Sequence, residues 1–125
     1  MPGRTIDDAE GAAALRAVVE GATERPLVAM AVRWTLQRLA EDVPGNSVEV
    51  RVPPFAAVQA VPGPRHTRGT PPNVIETDAA TWIALATGTL RWDDPTAAVR
   101  VSASGSRADL ASFLPVRTHG LEPVD

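Results

Sequence analysis

Residues 76–114, ETDAATWIALATGTLRWDDPTAAVRVSASGSRADLASFL, leave almost no room for loop. Three helix starts and a strand follow one another. Asp78 is an N-cap, because its short acceptor side chain satisfies backbone N–H groups that the first turn leaves open. Trp82, Ile83 and Ala86 share a face behind it, and Gly88 closes the segment. Asp94-Pro95 opens a second short turn, since proline is preset for the first helical position. Val99, Val101 and Ala103 alternate with Arg100, Ser102 and Ser104, which predicts a strand over 99–104. Ser106-Arg107-Ala108-Asp109 then opens a last helix, 107–114, carrying Leu110, Phe113 and Leu114. Residues 89–92 read as a short extended piece. None of these residues is an obvious catalyst.

Upstream, Thr5-Ile6-Asp7-Asp8 reads as an N-cap with an acid at the third position. Ile6, Ala9, Ala12, Leu15, Val18, Val19 and Ala22 follow at helical spacing, on a face rich in alanine. Pro26 suits the first turn of a second helix, 27–43. Leu27, Met30, Ala31 and Trp34 line one side of it, while Val32, Leu36, Leu39 and Val43 line another. A helix apolar on two sides is buried between layers or lines a cavity. Val48, Val50 and Val52 alternate with Glu49 and Arg51, a half-exposed strand ended by Pro53-Pro54. Residues 55–61 form its hairpin partner. They are apolar except Gln59, and so are expected at the centre of the sheet. Residues 73–77 make a third strand leading into the Asp78 helix.

A chain of 125 residues fits one domain and buries roughly two-thirds of its unfolded surface. The expected division is helices over 5–43, sheet and C-terminal helices over 47–115, and an extended tail over 116–125. Apolar residues make up 44%. Cysteine is absent, so no disulfide, thiolate nucleophile or Cys-based zinc site exists. Every basic residue is arginine, which removes Schiff-base lysine chemistry and a P-loop lysine. Net charge is −3, unlike a dedicated nucleic-acid binder. No apolar run is long enough to span a bilayer, and the first residues lack the core of a signal peptide, so stable membrane insertion is not expected and the expected location is the cytoplasm.

Two sets of residues stand out as candidate sites. Residues 61–72, VPGPRHTRGTPP, form a long loop stiffened by four prolines. In it Arg65 and Arg68 flank His66, and Asn73 follows. Guanidinium forks suit carboxylates and phosphates, so this cluster is a candidate anion or head-group site. The structural alternative is that the arginines pair with acids such as Glu76 or Asp78. The second set is apolar: Met30, Trp34, Trp82, Leu85, Trp92, Leu110 and Phe113 are candidate cavity walls, against the simpler reading of plain core. Asp93-Asp94 is better explained by helix capping than by a metal, and His66 and His119 form no ligand pair. A Gly-x-Ser-x-Gly elbow is absent, so Ser102, Ser104 and Ser106 read as a strand face and a cap. No catalytic residue, metal or cofactor is assigned.

The order of pieces, carried by Asp78, Trp82, Leu85, Gly88, Ala97, Ala98, Val101, Gly105 and Leu110, resembles the sterol carrier protein family in its bacterial form. Val99 stands where that family has glycine. The resemblance implies a small α/β domain with an apolar tunnel for a lipid tail, and no enzyme. The expected fold is therefore α+β, a mostly antiparallel sheet of about five strands with helices on one face. The expected function is non-catalytic carriage of an apolar or amphipathic small molecule, lipid or acyl-like, between sheet and helices, by a monomer or homodimer. The alternative is an interaction or regulatory module whose cavity is filled by side chains. A third option, an accessory domain related to thiol-dependent isomerases, lacks the metal-ligand histidines for independent catalysis.

Overall fold

Three aspartates decide where helices begin. Asp7, Asp78 and Asp94 sit in extended backbone and accept hydrogen bonds from the N–H groups of Glu10 (3.4 Å), Thr81 (2.8 Å) and Thr96 (2.8 Å). A carboxylate there also meets the positive end of the helix dipole. The computed structural model describes residues 5–64 and 72–117. Its elements are α1 (Asp8–Val19), α2 (Arg25–Asp42), β1 (Val48–Val52), β2 (Ala56–Ala60), β3 (Val74–Glu76), α3 (Ala79–Thr87), α4 (Pro95–Arg100), β4 (Ser102–Ser104) and one 3₁₀ turn (Ala111–Phe113). Pro26 lies in the first turn of α2. Gly88 ends α3 in the left-handed region at φ 84°, as its place after the apolar run required.

Among the described residues the sheet has four strands in the order β2-β1-β3-β4. The outer pairs are antiparallel and β1-β3 is parallel. Val48, Val50, Val52 and Ile75 face the helices and are buried. Glu49, Arg51 and Glu76 lie on the other, open face, where the hydrogen bond that Arg51 donates to the Glu49 carboxylate raises the Arg51 pKa above its ordinary value. The α+β class, the mostly antiparallel sheet and the β1-β2 hairpin are as expected.

Helix α2 is the middle layer. Its inner face packs on the sheet and α3. Its outer face carries α1, and Trp34 is sealed between them with no exposed surface. The fit is close: a Cβ on Gly11 would collide with the Trp34 ring. The Trp34 indole N–H donates to Asp8 Oδ1 at 3.0 Å, and the Gln37 amide bonds both backbone groups of Ile6. The two-sided apolar pattern of this helix therefore reflects two packed layers.

Several sequence expectations are corrected. The first cap is Asp7 rather than Thr5, because its carboxylate reaches the first-turn N–H. β2 is an edge strand, not a central one. Its outward Ala57 and Gln59 are exposed, and alanine counts as apolar in a pattern without needing cover. The count of four strands among the described residues fits the expectation of about five. Residues 99 and 100 belong to α4, since the Asp94 cap and Pro95 carry helix through Arg100, so the last strand is only Ser102–Ser104. Residues 89–92 are not extended. Arg91 accepts from the Asp94 N–H at 3.1 Å, closing a turn. The helix expected at 107–114 is only the 3₁₀ turn, because Pro115 follows Leu114 and so short a segment nucleates poorly. Of the expected tail, Val116 is buried and donates to the Ala86 carbonyl, while residues 118–125 lie outside the described residues.

Removing the cap in Asp78→Ala should lower stability by about 1 kcal/mol, with Asp78→Asn close to wild type, measured by urea unfolding. Gly11→Ala should cost about 1–3 kcal/mol by the same assay, because the methyl must push the Trp34 ring out of its seat.

Candidate functional site

The Arg91–Asp94 turn projects Trp92 from the junction between α3 and α4. The indole is half-buried and packs against the edge of the core. On one side of it lies a solvent-open hollow of about 630 Å³, lined by Leu85 and Gly88 from the end of α3, Leu90, Trp92, Leu114 and Pro115, among others. Arg91 and Asp93 stand at the same hollow as an exposed ion pair, N···O 3.2 Å. In water such a pair adds little stability, so both groups stay available to a polar partner.

Trp92 also lines a hollow of about 360 Å³, together with Ala97, Ala98, Val101, Ala103, Ala108 and Asp109. Ala103 pairs with the buried Ile75, so this hollow opens onto the helix-facing side of the sheet at its β4 edge. A third hollow, about 420 Å³, runs along Pro53, Glu76, Asp78, Val99, Arg100 and Ser102. Its charged lining does not suit an apolar tail, although Val99 within it is 87% exposed.

The apolar candidates divide between these places and the core. Leu85 and Trp92 meet at the larger hollow. Leu110 is fully buried and Phe113 half-buried, in the segment whose Ala111 and Leu114 line that hollow. Met30 is half-buried against the core. Trp34 and Trp82 have no exposed surface and line neither hollow. Trp82 donates to Thr35 Oγ1 at 2.8 Å, and that hydroxyl in turn bonds the Ala31 carbonyl at 2.7 Å. Among the described residues no buried side-chain nitrogen or oxygen lacks a partner.

Of the polar candidates, Arg65, His66 and Arg68 lie outside the described residues. The Asn73 amide is occupied by the fold. Its nitrogen donates to the Ser47 carbonyl at 2.8 Å and its oxygen accepts from the Arg107 N–H at 3.0 Å. Sequence reasoning missed Leu90, Arg91, Leu114 and Pro115 as walls. Taking 89–92 as extended hid the turn that groups the first two, although Asp93-Asp94-Pro95 already marked a cap after a loop. Among the described residues no group of three or more His, Cys, Asp or Glu is placed to hold a metal ion. No described helix is long and apolar enough to cross a membrane.

No curated protein matches the chain. A family model described as bacterial SCP ortholog matches residues 24–116, from the start of α2 to the end of the C-terminal wall. The match covers well over half of the 125 residues and includes every element except α1. The chain therefore belongs to this bacterial, sterol-carrier-like family.

Proposed function

We propose that this protein binds and carries an apolar or amphipathic small molecule without transforming it, seating the tail in the hollow between the end of α3 and the C-terminal wall. The observation that carries this reading is the grouping of Leu85, Leu90, Trp92 and Leu114 around one concave space. Covering such a wall gains roughly 25 cal/mol per Å² of apolar surface removed from water. The Arg91–Asp93 pair at its rim gives a charged or hydroxylated head somewhere polar to rest. Family membership supports the same reading.

The seat differs from a tunnel running through the middle of the domain. Trp34 and Trp82 fill the space around α2, and both indole N–H groups are spoken for. Opening a tunnel there means breaking buried hydrogen bonds as well as packing. This filled interior is the specific observation that favours a second reading, an interaction module that keeps the fold without a ligand.

Three tryptophans in distinct surroundings allow a direct test. Titration with n-dodecanol should change tryptophan emission saturably in the wild type. The change should vanish in Trp92→Phe, whose fold is checked by circular dichroism. Native mass spectrometry should show the same one-to-one adduct. An emission change that survives in Trp92→Phe would place the ligand elsewhere, and the absence of any adduct would leave the ligand-free module.

A further inference from the structure

Trp92 belongs to both apolar hollows. The larger one has the end of α3 and the 3₁₀ segment on its far side, and the smaller one has α4, Val101 and Ala103. A residue that lines two spaces is a wall common to both. Its neighbours across the smaller hollow are small: Ala97, Ala98, Ala103 and Ala108 put only methyl groups into it. Most of its walls thus lack side-chain bulk, and the largest residue at its boundary is Trp92.

We infer that Trp92 is a partition that sets the length of tail the protein accepts. This rests on the ligand-binding reading above and goes beyond it by assigning a specificity-determining residue and a second compartment. With the indole in place, a straight aliphatic tail fills the hollow beside Leu85 and Leu114 and stops. Methylenes beyond that point stay in water and add nothing to affinity. With the indole removed, the two spaces become one, and a longer tail continues under α4 along the helix-facing side of β4. Each further methylene that gains a dry seat is worth roughly fourfold in affinity.

Trp92 suits this role because of where its backbone lies. It sits on a turn closed by the Asp94 N–H to Arg91 carbonyl bond, not within a helix, and it is only partly buried at the edge of the core, where it lines both hollows. Its indole makes no hydrogen bond among the described residues, whereas those of Trp34 and Trp82 do. Shortening it therefore widens the site without stranding a buried polar partner.

The test is a length series, n-octanol, n-decanol and n-dodecanol, titrated by isothermal calorimetry into the wild type and Trp92→Ala. Wild-type affinity should level off along the series. In Trp92→Ala it should keep climbing, so that n-dodecanol gains at least roughly tenfold over n-octanol relative to wild type. Refilling the second hollow in Trp92→Ala/Ala98→Leu should abolish that gain. If the alanine variant loses its circular dichroism spectrum, Trp92→Leu should show the same shift in smaller degree. Wild-type binding with an unchanged length profile in the folded variant overturns the partition and leaves the binding reading intact. No binding by either protein overturns both.

Discussion

The hydrogen bond from the Trp82 indole to the Thr35 hydroxyl joins two helices that the chain holds far apart, its partners being 47 residues distant. A buried N–H without a partner is costly, so the indole of α3 can sit at this depth only where α2 offers that hydroxyl. Thr35 is itself set by its bonds to the Ala31 and Val32 carbonyls, one turn back on its own helix. Once α3 is fixed against α2, its C-terminal end and Gly88 are fixed as well. The turn that carries Trp92 and the floor of the larger hollow follow from that position. The bond alone contributes about 1 kcal/mol, and the burial of the ring around it contributes more.

The wall opposite α3 is secured in a related way. Arg38, almost buried on α2, donates to the Arg117 carbonyl at 3.3 Å while paired with Glu41 and Asp42. Val116 donates to the Ala86 carbonyl on α3. The C-terminal segment, including Leu114 and Pro115, is therefore drawn against both helices. The hollow is a gap between two fixtures, the end of α3 and this segment, with Trp92 standing in it. Helix α1 takes no part: it packs on the far face of α2, and it lies outside the residues that match the family.

Aromatic side chains in this protein serve two separate ends. Trp34 and Trp82 have their polar atoms satisfied and their surfaces covered, so they serve as packing in the middle of the domain. Trp92 is only partly covered and borders open space. Small side chains around it, mostly alanines, then leave volume that the sheet and helices do not fill. Alanine made this hard to foresee. In a pattern it marks an apolar position, yet it neither demands cover, as Ala57 on the open sheet face illustrates, nor fills the space it faces, as Ala97 and Ala103 illustrate.

What the sequence determined by itself was local. Asp78 and Asp94 cap helices because a carboxylate reaches N–H groups two or three residues on, and Gly88 ends one because it tolerates positive φ. The β1-β2 hairpin, the buried two-sided α2 and the α+β class follow from periodicity over a few turns or residues. The order of those pieces was also enough to recognise the family. Tertiary structure decided the rest. It made β2 an edge by pairing β1 with β3. It committed the Asn73 amide to Ser47 and Arg107, 26 and 34 residues away. It also chose which tryptophan borders a hollow. That choice depended on whether another element offers an acceptor and a covering face, as Asp8 and Thr35 do for Trp34 and Trp82. Such partners are set by how layers stack across the whole chain, which no window of neighbouring residues contains.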